Sequence, residues 1–328
     1  MTTSWCSSPR SSEAVEDQVH VRRMVESDLD EADRITRLAF ATFRGLPQPD
    51  AALDDTEAVR TRFVAAPDCA WVAEIDGEVA GSVFAARWGS FGFFGPLTVD
   101  PRLWDRGIGS RLLEPVLAAF ELWQVRQAGL YTFSSSRKHL GLYQKHGFWP
   151  GHLVAVLGKP VAPVSSVYSL FSQAPPDSEA SLLDEIRELT SSVFPGLDLE
   201  REIVAARAQG IGDTILVRDG DALSGIAVCH SGPGGEAGSG VCYVKFGATC
   251  SGETAGDGFD LLLSACEAFA AESGLHRLVA GVNTGRLDAY RRMLRRGFRT
   301  DLLGVSMYLR PEGERLDTPD QYVIDDLR

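Results

Sequence analysis

Three arginines, two glycines and a tyrosine carry the chemistry that this sequence offers. Arg102, Arg106 and Arg111 surround Gly107-Ile108-Gly109 within residues 94–111, FGPLTVDPRLWDRGIGSR. An apolar strand ending at Val99, a bend at Asp100-Pro101 and a helix through Leu112, Leu113, Val116 and Leu117 frame them. Such a turn aims backbone N–H groups and the positive end of a helix at one point, which suits an anion such as a pyrophosphate. A glycine pair before a helix is, by itself, ordinary turn chemistry, so the reading needs a second landmark.

That landmark is Leu140 to Phe148, LGLYQKHGF, far enough downstream for a long helix and one more strand. Together the two stretches resemble the GNAT superfamily of N-acetyltransferases. The family's Gln/Arg-x-x-Gly-x-Gly/Ala turn falls on Trp104-Asp105-Arg106-Gly107-Ile108-Gly109, with Trp104 where the pattern has Gln or Arg. Its Leu-Tyr-x-Lys-x-Gly-Phe motif is matched by Leu142-Tyr143-Gln144-Lys145-His146-Gly147-Phe148. The resemblance implies a mixed α/β fold, a central mostly antiparallel sheet flanked by helices. It also implies acetyl-coenzyme A as cosubstrate without a metal, held by Leu97, Thr98, Val99, Arg106, Gly107, Ile108, Gly109, Ser110, Arg111 and Ser136.

The chemistry implied is direct acyl transfer. An amine attacks the thioester carbonyl, and N–H groups of the strand near Leu97 to Val99 polarise its oxygen. The departing thiolate needs a proton, its conjugate acid having a pKa of about 8.5 like cysteine. By family analogy Tyr143 is the catalytic residue that delivers it. The general base stays open. Asp100 follows the strand but also suits a turn cap. His139, four residues before Tyr143 and hence on the same helix face, reads as structural. Ser136 stands where many relatives have Asn and can still bond the coenzyme's arm.

The elements that must position these groups follow from the rest of the chain. At 328 residues the length favours two domains, and 44% hydrophobic residues suffice for packed cores. A net charge of −13 argues against nucleic-acid and anionic-membrane partners; it fits an amine substrate, but acidity is also ordinary surface solubility. Cys6, Cys69, Cys229, Cys242, Cys250 and Cys266 show no Cys-x-x-Cys spacing, and buried reduced thiols are expected. With no apolar run of about 18 residues and no signal-peptide centre, a cytoplasmic protein is expected.

In chain order, residues 1–17 read as a flexible tail and Val19 to Arg22 as a strand. Ser27 opens a helix with Asp30 as an approximate capping box; Leu29, Ala32, Ile35 and Leu38 form its inward face. Phe40 to Pro49 reads as a loop and Thr56 to Ala65 as a helix. In the family these helices wall the acceptor pocket, so Phe43 and Arg44 could touch substrate, though packing and surface roles fit them better. Trp71–Ile75 and Val79–Ala86 form a hairpin across Asp76-Gly77. Phe91, Phe93 and Phe94 lie on the next strand, Leu130 to Phe133 form another, Ser136 to Lys145 a helix, and Leu153 to Leu157 a strand.

Three landmarks recur later in the same order: Asp219-Gly220 between strand-like runs, Gly256-Asp257-Gly258 before a helix, and Gly297-Phe298. Two copies of one domain are expected: 18–160 intact and binding acetyl-coenzyme A, 161–178 a linker with the second copy's first strand, 179–310 degenerate, and 311–328 a tail that can pack across both. Around its turn the second copy has Glu253, Asp257 and Asp260 and no basic residue from Ser251 to Leu263. Each such charge disfavours a pyrophosphate by about 1 kcal/mol. Met293 stands at the Tyr143 position and cannot donate a proton; Tyr290, one turn earlier, reads as packing. The expected function is acetyl transfer to a primary amine of a small molecule or peptide, catalysed by the first copy. Two alternatives stand beside it: acetylation of a thiol-metabolite precursor, resembling the tandem mycothiol synthases, and a non-catalytic acyl-coenzyme A sensor.

Overall fold

Short-range chemistry sets the strands. Asp76 and Gly77 both take positive φ, 52° and 84°, which is the type I′ geometry that an Asp-Gly pair permits. They join β2 (Ala70–Ile75) to β3 (Glu78–Trp88) with Ile75 opposite Glu78. The later hairpin differs by one residue. Asp219 pairs with Ala222, so the turn is Gly220-Asp221, and Gly220 at φ 59° holds its first central position.

The computed structural model describes residues 19–47, 55–309, 313 and 315–327. The tail expected over 1–17, with Cys6, lies outside the described residues, as do Gln48 to Pro49 of the expected loop. In the first half β1 (His20–Arg23), α1 (Leu29–Phe43) and α2 (Ala58–Ala65) precede β2 and β3. Then come β4 (Phe91–Val99), α3 (Ile108–Leu122), β5 (Gln127–Phe133), α4 (Arg137–Lys145) and β6 (Phe148–Pro160). The second half runs β7 (Ser169–Leu170), α5 (Glu179–Val193), α6 (Glu200–Gln209), β8 (Gly212–Asp219), β9 (Ala222–Gly232) and β10 (Gly238–Thr249). It ends with α7 (Ala255–Glu272), β11 (Arg277–Asn283), α8 (Leu287–Arg295), β12 (Arg299–Leu309) and β13 (Val323–Asp325). One order of strand, two helices, three strands, helix, strand, helix and strand is therefore run through twice.

All thirteen strands form one mixed sheet, ordered β1-β2-β3-β4-β5-β12-β6-β11-β10-β9-β8-β7, with β13 on β10. Among the described residues only β4–β5 and β10–β11 pair in parallel. The central order is a strand exchange. β12, last of the repeated elements, pairs with β5 and β6, while β6 pairs with β11 and β12. Each half thus lends its last strand to the other.

A core cluster also crosses the junction. The Trp88 and Phe93 rings lie tilted to each other with centroids 4.5 Å apart, Trp88 meets Phe246 of β10 at 5.5 Å, and Phe91 meets Phe194 at 5.9 Å. Each buried ring of this size contributes about 1.5–3 kcal/mol. Cys69, Cys229, Cys242 and Cys266 are buried and free, whereas Cys250 is exposed. No helix among the described residues is long and apolar enough to cross a membrane.

Three local expectations are corrected. Ser27 does not cap the first helix: Glu26–Asp28 form a 3-10 turn, and the Asp28 carboxylate accepts from Val25 N–H and from Arg22. The expected loop from Phe40 is helical to Phe43, because Phe43 stacks on Phe133 at 4.6 Å and extends the helix over β5. Gly256 and Gly258 do not precede a helix but lie inside the first turn of α7. In the C-terminal segment, Arg286 at the N-cap of α8 meets Asp325 of β13 at 2.5 Å, with side chains 1% and 4% exposed. Burial holds the Asp325 carboxyl above its ordinary range, against the pull of Arg286. Arg286→Met strands that carboxylate and should destabilise the chain by about 3–5 kcal/mol, read from denaturant unfolding midpoints.

Candidate active site

The site begins where two parallel strands separate. β4 pairs with β5 at Phe91↔Gln127, Gly92↔Ala128 and Phe93↔Gly129, and no further. On its other side, the β3–β4 register skips between Ala85↔Phe94 and Val83↔Leu97, which makes Gly95-Pro96 a bulge. Gly95 sits at φ 148°, where a side chain is strained. Beyond the bulge Leu97, Thr98 and Val99 run away from β5, whose end pairs only with β12. A wedge opens between the two strands, with backbone groups on its β4 wall.

The turn after β4 is fixed by side chains. Asp100, 1% exposed, accepts from Arg102 N–H at 2.9 Å and from the Arg102 guanidinium at 2.6–3.2 Å, and Arg34 lies 3.6 Å away. Bonding to Arg102 holds the carboxyl below the carboxylate range. Asp100 therefore caps the turn, and its partners leave it poorly suited to act as a base. Trp104, standing where the family pattern has Gln or Arg, donates its indole N–H to Val99 O at 2.8 Å, while Lys138 sits over its ring and pairs with Asp105 at 2.7 Å. The residue has become a strut between turn and strand.

Gly107 caps α3 in the left-handed region at φ 77°. Ser110 and Arg111 donate to Gly107 O, and the N–H groups ahead of them, on Ile108 and Gly109, precede the first intrahelical bonds. A Cβ on Gly109 would lie 3.3 Å from Leu142, so glycine lets α4 close on the start of α3. The three arginines are not equivalent. Arg102 is neutralised by Asp100, Arg106 is exposed, and Arg111 reaches Glu114 at 3.3 Å while its Nε is buried without a hydrogen bond. Thr98 is buried and bonds the Thr36 hydroxyl at 3.0 Å, which ties α1 to the β4 wall.

Tyr143, 7% exposed, lies edge-on to Phe94 at 5.7 Å, directly beside the bulge. Burial pushes its phenol up, so it is neutral at physiological pH. Ser136 caps α4, its hydroxyl accepting from His139 N–H at 3.2 Å. His139 stacks on Phe43 at 4.9 Å, and burial lowers its pKa. Phe43, His139 and Phe133 thus form an aromatic wall at the outer end of the wedge. Sequence spacing found Tyr143 and the turn; it did not show this wall, which joins α1, α4 and β5.

The second half treats the same place differently. β10 and β11 pair from Val241↔Arg277 to Val244↔Ala280, and then β13 lies antiparallel on β10, with Phe246↔Asp325, Gly247↔Ile324 and Ala248↔Val323. The gap between the parallel strands is filled by the chain's own C-terminal strand. At the start of α7, a Cβ on Gly256 would collide with the Arg292 guanidinium. Arg292 bonds Asp260 and Asp288, and Tyr322 donates to Asp288 at 2.7 Å. The sequence reading found no cation within this turn because Arg292 arrives from α8. Met293 is fully buried.

Residues 32–148 match the family model described as Acetyltransferase (GNAT) family. The chain is similar in structure to a protein of Pyrococcus horikoshii described as an acetyltransferase (TM-score 0.66, 16% identity, 94% of each chain covered). The fold is that of the GNAT acetyltransferases. A GCN5-related N-acetyltransferase from Sphaerobacter thermophilus is similar at TM-score 0.59 and 18% identity, over 92% of this chain and 99% of that one. Another from Anabaena variabilis gives 0.50 and 13%, over 88% and 72%. Comparison with curated proteins by sequence finds no match.

The Asp100 cap can be tested through pH. Its lowered pKa means that its contribution is present above the unfolded value near pH 3.9 and is lost as pH falls through the folded value. Asp100→Asn should cost about 1 kcal/mol at pH 7, and the gap from wild type should close below about pH 4 in unfolding curves collected across pH.

Proposed function

We propose that the first half binds acetyl-coenzyme A and transfers the acetyl group to a primary amine of a small molecule or peptide. One observation carries the choice of half: the wedge is open between β4 and β5, whereas β13 lies on β10 in the equivalent gap. The chain's residues fit the coenzyme. A left-handed glycine cap, N–H groups at the start of α3 and the buried unpartnered Nε of Arg111 face an anion's charge. Arg106 adds an exposed cation, and Leu97, Thr98 and Val99 line the wedge for an extended arm. Ser136 is committed to its helix cap through one lone pair and keeps another for a donor on that arm.

Bound there, the coenzyme supplies an activated thioester carbonyl. N–H groups of the β4 wall beyond the bulge stabilise charge on that oxygen. Tyr143, kept neutral by burial, donates a hydrogen bond to the leaving sulfur; the proton moves fully only as the phenol regains one from the attacking nitrogen, because a phenol raised by burial is a weaker acid than a thiol. Phe43, His139 and Phe133 exclude water from the outer end.

Two measurements test this reading. Tyr143→Phe should keep coenzyme binding and lower turnover about 10²-fold or more, seen by calorimetry and thiol release across a panel of amines. Gly107→Asp, which adds a carboxylate at the strained cap, should abolish coenzyme binding. Titration of the wild type should give one coenzyme per chain. Two per chain, or binding that survives Gly107→Asp, refutes the assignment of halves.

A further inference from the structure

A cavity of about 50 Å³ lies at the junction of the halves, between α2, α6 and the strands β3, β4, β9 and β10. It has room for a few waters or one ammonium head and is too small for a whole acceptor. Gly95 of the β4 bulge lines it, so the cavity touches the inner end of the wedge. Arg62, Glu202, His230, Glu236 and Lys245 line the rest that matters.

Most of this charge is internally satisfied. Glu236 accepts from Arg62 at 2.8 and 3.1 Å and from Lys245 at 2.7 Å, and Arg62 also donates to Gly95 O. Burial acts to raise the Glu236 carboxyl, but Arg62 and Lys245 outweigh it and hold it well below its ordinary range. His230 is the exception. It is 2% exposed and neither ring nitrogen makes a hydrogen bond, although Nε2 lies 3.3 Å from Glu202 Oε1, within ion-pair reach but misaligned. A buried imidazole without a partner is costly unless something else meets it. Glu202 is steadied by the Trp88 indole at 3.3 Å; burial raises its carboxyl, yet it lies net below its ordinary range, with the Lys245 ammonium among the groups that lower it. An imidazole against a fixed carboxylate can take a proton and hold it.

We propose that His230, backed by Glu202, is the proton acceptor for the amine, so that the second half supplies the base for chemistry carried out on the first. The inference rests on the acetyl-transfer reading above. The acceptor's ammonium gives one proton to His230, directly or through a cavity water. The freed lone pair forms the C–N bond as the C–S bond breaks. The surplus proton on nitrogen passes through Tyr143 to sulfur, leaving an amide and a thiol, and His230 releases its proton to solvent. The charged and titratable groups around His230 and its cavity are Glu202 and Arg201 from α6, Tyr243 and Lys245 from β10, Glu236 from the β9–β10 connection, Arg62 from α2 and Arg87 from β3.

The test compares two small nucleophiles with acetyl-coenzyme A and the full chain, read by thiol release near pH 7. Methylamine is an ammonium at that pH and needs a base; hydroxylamine is already neutral and does not. His230→Gln and, as a second variant less buried in the fold, Glu202→Gln should each lower turnover with methylamine by about 10²-fold while leaving hydroxylamine turnover and coenzyme binding nearly unchanged. Equal losses with both nucleophiles, or no loss, overturn the proposal, as does a wild-type chain that binds acetyl-coenzyme A but acetylates neither. A wild-type chain that binds no acetyl-coenzyme A overturns instead the reading beneath it.

Discussion

Two parallel strands that come apart expose backbone N–H and C=O groups to a gap, and buried backbone groups of this kind need partners. The rest of the molecule depends on how that demand is met. In the second half β13 meets it, pairing with β10 just past the point where β10 and β11 separate, and Arg286 anchors β13 from below. In the first half no strand does so among the described residues, and the β4 wall faces the wedge. The asymmetry is one of hydrogen-bond supply: the chain's own β13 pairs in one gap, and no strand does so in the other among the described residues. The charge pattern at the two helix starts agrees with it, because Arg292 and Tyr322 already occupy the approach to α7.

The exchange of β6 and β12 makes the two halves inseparable in a physical sense. β5 finds its second neighbour in β12, a strand encoded some 170 residues later, and β11 finds its own in β6. Splitting the chain at residue 160 would leave unpaired edges in the middle of the sheet, together with half of the aromatic cluster that joins Trp88, Phe93, Phe194 and Phe246. The second half is thereby needed by the first, since it pairs and covers the strands around the gap between β4 and β5. It also presses charged side chains against the β4 bulge, where Arg62 holds Gly95 O while bonded to Glu236 of the partner half.

Local features were legible in the sequence and long-range ones were not. The Asp76-Gly77 turn, the glycine cap of α3 and the helix carrying Tyr143 each follow from residues within a few positions of one another, where turn chemistry and helical spacing act. The repeat of elements was readable from three landmarks, two of which, Gly220 and Gly297, are positive-φ turn glycines, whereas Gly256 and Gly258 turned out to lie inside a helix. Strand exchange was not readable. β6 and β12 carry similar apolar runs, so either would satisfy β5, and the choice is made by tertiary packing. The same holds for Asp100 and Trp104. For Asp100 the sequence left base and turn cap both open, and Trp104 read as a motif departure; their partners, Arg102 and Val99 O, decide for a cap and a strut. The buried group of Arg62, Glu202, His230, Glu236 and Lys245 gave no signal, since its members come from five separate segments.

The overall charge of −13 would repel a polyanionic coenzyme if it acted as a whole. It does not, because salt screens surface charge beyond a Debye length of about 8 Å, so the sign at the turn decides. There the count of three arginines overstates the cradle. Arg102 is spent on Asp100, which leaves Arg106 in solvent and Arg111 with one buried donor free. A site with two effective cations must draw on oriented backbone, and the left-handed Gly107 cap with the leading N–H groups of α3 provides it. Under the proposed function, the glycine rather than any single arginine is therefore the position on which anion binding turns. The second half makes the same point by contrast: Gly256 sits inside a helical turn under a guanidinium, and its backbone has no comparable face to offer.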